Sequence, residues 1–381
     1  MSSLEEKKKK RKTTTKKPQS TPNASLPNEL LLNIFARISR LHYPSLSLAS
    51  YGFRSRLTSR DLYRDRIKLG NTESCLYVCL KFPPDTNPCW FTLSLKPEKE
   101  KKKSGRYVLA KLPIRNSPPA HCSGLVALGS DIYNIGGSTD DSPSACVSFL
   151  DCWSNTWKLG PDMCVERNYA AANVVDGKIY VAGGCKGCDN SNWMEVFDPK
   201  THTWELVSCP VNVKEKCGCD VGISAGMNGK VYGFGKCKTF GKYIGLAYDT
   251  KENTWIQTIW KMDMGSYKVI ENVLYYYHLG EFKWLDIKKR RGGELKGLER
   301  LPKFASDACV KLADYGGKMA VLWDKFVPLP SSGYKDKMIW CAVIALERRS
   351  GKEMWGTIEW FDTVLTVPKS YEFVSALSVI V

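Results

Sequence analysis

The sequence predicts a small all-α module of three short helices followed by an all-β ring of repeated four-stranded units. Three recurring features predict the ring. Two-residue turns between short apolar strands recur at Gly129-Ser130, Asp176-Gly177, Asn228-Gly229, Glu271-Asn272 and Gly316-Gly317, at intervals of roughly 43 to 52 residues. An aspartate stands six residues before a tryptophan in Asp151…Trp157, Asp198…Trp204 and Asp249…Trp255. A glycine pair, Gly136-Gly137 and Gly183-Gly184, loosens to Gly233-Phe234-Gly235 in the next copy.

Residues 167–206 are the clearest copy. Val174-Val175 and Ile179-Tyr180-Val181 flank Asp176-Gly177, a pair suited to the positive φ values of a type I′ hairpin turn. Val196-Phe197-Asp198 starts a third strand, and Trp204 lies in a fourth. One such meander cannot bury both faces alone, so neighbouring copies must stack against it. The pattern resembles the kelch repeat, which implies a β-propeller with one repeat per blade.

Two further segments complete the ring. Leu76–Leu80 and Trp90–Leu95 flank a longer turn at Pro83–Pro88, and Tyr107–Leu112 forms another strand, leaving this blade one strand short. Phe373–Val381 is apolar and rich in β-formers but has no hairpin of its own. A strand from the C-terminal end that completes the first blade removes both exposed edges. Six blades over residues 74–381 are therefore expected. Later copies decay: Lys288-Lys289-Arg290-Arg291 replaces one landmark stretch, and Glu347 stands in for the aspartate before Trp355.

Composition bounds the function. The 381 residues carry 56 Lys+Arg against 39 Asp+Glu, a net charge of +17, which suits nucleic acid, an acidic partner or a localised tail. No run of 18 apolar residues exists, so no membrane span is expected. The N-terminus lacks the apolar core of a secretory signal. Fifteen cysteines spread through apparent strands read as reduced thiols of an intracellular protein. Residues 1–24 concentrate eight positive charges between Lys7 and Lys17 and are too polar to fold. The KKKKRK run reads equally as a nuclear-import signal or a solvated tail, so nucleus and cytoplasm both stay open.

Residues 25–70 are amphipathic and helical. Pro27 suits a helix start, and Leu30, Leu31, Ile34, Phe35 and Ile38 follow a helical period. A second helix from Pro44 carries Leu46, Leu48, Ala49 and Phe53, and a third runs from a Ser59 cap to Gly70. Leu26-Pro27, Leu30, Ile34, Leu46-Ser47-Leu48-Ala49, Phe53-Arg54 and Leu62-Tyr63 resemble the F-box over its whole length, although Ala49 stands where that family more often has valine. The resemblance implies a Skp-type adaptor as partner and, through it, a cullin–RING ubiquitin ligase. The expected adaptor contacts are Leu26, Pro27, Leu30, Ile34, Leu46, Leu48 and Phe53. With the repeats, the architecture resembles plant F-box/kelch-repeat proteins, substrate receptors of such ligases.

Catalytic patterns are missing. His42, His121, His202 and His278 occupy unrelated repeat positions, and neither a phosphate-binding glycine loop nor a G-x-S-x-G elbow occurs. The repeat aspartates read as turn formers. Cys185-x-x-Cys188 and Cys217-x-Cys219 make a poor tetrahedral zinc set, so no metal or cofactor is expected. A basic nucleic-acid or chromatin binder is the alternative function, but the basic loops lack interleaved aromatic residues for base stacking. In five copies the first turns are tight, while the second loops, Ser138–Ser144, Cys185–Asn192, Lys236–Lys242 and Asp324–Lys337, are long and varied. Long loops on a rigid scaffold suit recognition. The expected target contacts on that face are Arg167, Phe240, Phe326 and Tyr334.

Overall fold

A computed structural model describes residues 26–96, 105–120, 123–137, 142–186, 191–210, 221–236, 243–258, 266–327, 336–349 and 352–381. The helical module comprises α1 (Asn28–Ala36), a 3-10 turn (Arg40–His42), α2 (Tyr43–Ser47), α3 (Tyr51–Leu57) and α4 (Arg60–Lys68). The predicted second helix is thus two. Ser50 takes extended backbone angles and its hydroxyl caps the N–H of Phe53, starting α3 afresh. At the third helix, Ser59 caps α4 and Gly70 follows with φ +65°.

Twenty-four strands follow among the described residues, grouped as six meanders. Blade 1 contains β1 (Ser74–Lys81), β2 (Cys89–Leu95) and β3 (Tyr107–Lys111). Blade 2 is β4 (Gly124–Leu128), β5 (Asp131–Ile135), β6 (Val147–Asp151) and β7 (Thr156–Leu159). Blade 3 is β8 (Ala171–Val175), β9 (Lys178–Ala182), β10 (Met194–Asp198) and β11 (Thr203–Val207). Blade 4 is β12 (Val221–Met227), β13 (Lys230–Lys236), β14 (Tyr243–Asp249) and β15 (Thr254–Thr258). Blade 5 is β16 (Ser266–Ile270), β17 (Val273–His278), β18 (Glu281–Asp286) and β19 (Arg291–Lys296). Blade 6 is β20 (Lys311–Tyr315), β21 (Lys318–Phe326), β22 (Asp336–Arg349) and β23 (Glu353–Pro368). The last strand, β24 (Glu372–Ile380), returns to blade 1, whose order is β24-β1-β2-β3. Its antiparallel register runs from Ser74↔Ile380 to Lys81↔Glu372.

Closure is visible in the packing. The inner strands β4, β8, β12, β16, β20 and β24 touch one another in turn around a complete circuit. Strand side chains alternate between the two faces of a sheet, and here both faces are buried. In β1, Cys75, Tyr77 and Cys79 pack towards blade 2, while Leu76, Val78 and Leu80 pack towards blade 6. Each of the other blade junctions has its own apolar cluster. Blades 5 and 6 are further joined by a short parallel pairing of Leu295 with Met354 and Lys296 with Trp355.

The repeat landmarks have local causes. At Asp176-Gly177, Asn228-Gly229, Glu271-Asn272 and Gly316-Gly317 both central residues have positive φ, as a type I′ turn requires. The aspartates cap the third turn of their blades. Asp151 Oδ1 accepts from the N–H groups of Trp153 and Ser154, Asp198 Oδ1 from Lys200, and Asp249 Oδ1 from Lys251 and Glu252. Asn155, His202 and Asn253 then take the left-handed conformation of the same turn. His202 is thereby explained as a turn residue. Trp204 and Trp255 each donate from Nε1 to a carbonyl of the link following the preceding blade, at Pro161 and Ser208.

Nine cysteines are free among the described residues, but Cys185 is disulfide-bonded. The reading of reduced thiols throughout fails there, because composition does not report which sulfur the loop after β9 brings to another. Cys188, Cys217 and Cys219 lie outside the described residues, as do residues 1–24.

Candidate functional site

Two surfaces are candidates, one on the helical module and one on the ring. In α1, Leu31, Leu32, Phe35 and Ala36 are buried with Tyr43, Leu57 and Leu62 in the module's core. Leu30 and Ile34, four residues apart on the opposite side, are 53% and 45% exposed. Leu26, one turn earlier, and Leu48 are exposed too, at 52% and 76%, and Pro27 is exposed at the N-cap. A free monomer gains nothing from four large aliphatic side chains in water; their burial against a partner is favourable. Leu46 and Phe53, also among the expected contacts, are less exposed. Both are half-buried against the module's core, and Phe53 meets Phe35 edge-on at 4.9 Å.

The module is fixed to the ring by buried chemistry. Tyr63 stacks on Trp153 of the third turn of blade 2, with ring centroids 5.4 Å apart. Arg60 pairs with Asp151 at 3.3 Å. Arg40 lies over the Tyr63 ring at 5.2 Å and reaches the Cys152 carbonyl and Tyr77 hydroxyl at 3.4 Å each. Arg66 pairs with Glu73 at 2.7 Å, while Glu73 exchanges backbone hydrogen bonds with Val381. Burial pushes the Cys75 thiol up to about 11 and the Tyr63 hydroxyl up to about 12, so both stay neutral around this cation. The contacts engage the end of the ring that carries the tight first turns; Ser74, the first residue of β1, lies against Gly316.

The opposite end carries the second loops and the blade-to-blade links. A cavity of about 630 Å³ opens there, lined by Thr86, Pro88, Tyr169 and Phe373 among others. Tyr169 is 61% exposed. Phe326 is half-buried at the end of β21, with the Lys337 ammonium 4.6 Å from its ring centroid. Phe240 and Tyr334 lie outside the described residues.

Arg167 is not a surface residue. It is fully buried and pairs with fully buried Glu195 at 2.7 Å. Its guanidinium also donates to the carbonyls of Gly183, Trp193 and Asn192. The link carrying Arg167 crosses the glycine pairs so closely that a Cβ on Gly184 would stand 2.3 Å from the Asn168 carbonyl oxygen. The arginine therefore holds the link between blades 2 and 3 and leaves no exposed surface on that face. Trp193 is likewise internal, packed against Trp255 at 5.4 Å.

The comparisons with known proteins agree with this division. The family model described as F-box domain matches residues 24–65, and that described as FKB95, Kelch-repeats domain matches residues 90–365. The F-box/kelch-repeat protein At4g39550 of Arabidopsis thaliana is 54% identical, covering 99% of both chains. The chain belongs to the F-box/kelch-repeat family. F-box/kelch-repeat protein At4g39580 of the same plant is 49% identical over 95% of each chain, and At5g51250 is 49% identical over 93% of this chain and 99% of its own.

Among the described residues, no group of three or more His, Cys, Asp and Glu side chains could hold a metal ion. No helix among them is long and apolar enough to cross a membrane.

Proposed function

We propose that this F-box/kelch-repeat protein is the substrate-recognition subunit of a Skp–cullin–F-box ubiquitin ligase. The observation that carries the reading is the exposed stripe of Leu26, Leu30 and Ile34, with exposed Leu48, on a helical module whose core is complete without them. The module would dock its stripe on a Skp-type adaptor. The ring would present a target protein to the conjugating enzyme that the complex recruits, performing no chemistry itself. For the target we assign the long-loop face, with Tyr169 and Phe326 as described contacts; aromatic side chains of this kind anchor interfaces.

The test is adaptor binding by the full chain. Leu30→Asp with Ile34→Asp puts two charges into a desolvated contact and costs about 3–5 kcal/mol of binding, on the order of a hundredfold to several thousandfold in Kd. Both side chains are about half exposed in the free chain, so its unfolding temperature should fall only slightly. Undiminished binding of a purified Skp-type adaptor to the double variant sinks the reading.

A further inference from the structure

The inner strands enclose an axial channel containing two cavities, of about 630 and 620 Å³. They share Leu125, Ala172, Ser224, Tyr267, Val374 and Ser375, so they are chambers of one channel. At the waist, the Tyr267 hydroxyl donates to the Ser224 carbonyl at 3.0 Å and accepts from its N–H at 3.1 Å. Asn173 Nδ2 donates to Ser224 Oγ at 2.7 Å. In the chamber towards the long loops the charges are matched, with Lys81 and Glu372 3.4 Å apart.

The chamber on the F-box side is different. Lys268 of β16 and Lys311 of β20 line it from adjacent inner strands. Neither forms an ion pair with a described residue. The acidic residue there is Asp314, one of whose oxygens already accepts from the Gly317 N–H at 2.9 Å. Ser378 Oγ, in the same wall, is buried without a hydrogen-bond partner. Desolvation pushes the Lys268 ammonium below its ordinary range despite the pull of Asp314, so holding it there costs free energy. Buried polar groups normally have partners, and a cavity of a few hundred Å³ with a few converging polar groups has the dimensions of a ligand site.

We propose that this chamber binds a small organic anion, a carboxylate or phosphate ester, with its negative group held between Lys268 and Lys311. Charge-assisted hydrogen bonds from two ammonium groups suit either anion. The site stands apart from the ligase reading, since it uses neither the helical stripe nor the long-loop face.

The test is calorimetric titration and thermal unfolding of the full chain with citrate, glucose 6-phosphate and inorganic phosphate, each against sodium chloride of matched ionic strength. Wild type should bind citrate or glucose 6-phosphate saturably. Lys268→Met and Lys311→Met should each weaken that binding at least tenfold. Without ligand, Lys268→Met should melt at the wild-type temperature or higher, because a desolvated ammonium without an ion-pair partner is gone. The proposal is overturned if neither organic probe binds more tightly than sodium chloride screens. Equal binding by the methionine variants overturns it too. So does a fall of several degrees in unliganded Lys268→Met, which would make the lysine a structural partner of Asp314.

Discussion

Asp131 illustrates how a single side chain is conditioned by the junction between the F-box and the ring. It sits opposite Asp151 in the β5–β6 register, and burial, with the neighbouring Asp151 charge, pushes its carboxyl up to about 6. The fold therefore favours its protonated form. Ionised Asp131 costs stability above about pH 6, a cost that fades as pH falls through 6 towards 4. Asp131→Asn should stabilise the protein at pH 7.5 by about 1 kcal/mol, discounted for partial exposure, with the gain gone near pH 4. Denaturant unfolding at both pH values checks this; an equal gain at both would assign the effect to packing. Arg167 makes the opposite case. Arg167→Ala leaves Glu195 buried and unpaired and should destabilise the chain by about 3–5 kcal/mol, read as a lowered denaturant midpoint. Its burial was illegible in the sequence because the partner, Glu195, is 28 positions away and shares no motif with it. The aspartate landmarks were legible because each acts on its own turn, through hydrogen bonds two or three residues away.

At the scale of elements, periodicity located the helices and strands but not what a break in the chain does. The α1 pattern separated buried Leu31, Leu32 and Phe35 from exposed Leu30 and Ile34 only once the other helices had a position. The Ser50 cap, which starts α3 afresh, left no signal stronger than any serine. Strand β24 was predictable from counting, since the first blade lacked a strand and the final nine residues were apolar and unpaired. Eight residues of β24 pair with β1, and its Ala376, Leu377 and Val379 belong to the clusters on both faces of blade 1. Deleting residues 372–381 reopens the ring, exposes the β1 edge and removes the Val381 contact to Glu73. The truncated chain should lose cooperative thermal unfolding and aggregate; a sharp transition near that of the full chain would show that the ring does not depend on closure by this strand.

For the whole molecule, the F-box is seated on the end of the ring with the tight turns, leaving the long-loop end clear. The seat is a buried cation–aromatic cluster with ion pairs on either side, so module and ring should move as one body. An adaptor on Leu26, Leu30, Ile34 and Leu48 would then stand at a fixed distance from a target on Tyr169 and Phe326, which is what delivery of a target to a conjugating enzyme requires. Hydrogen exchange of the full chain with and without a purified Skp-type adaptor tests this most directly. Added protection should fall on α1 and on the α2–α3 connection around Leu48, with the segments at Tyr169 and Phe326 unchanged. Protection at the long-loop end, or none in the helical module, would contradict the account.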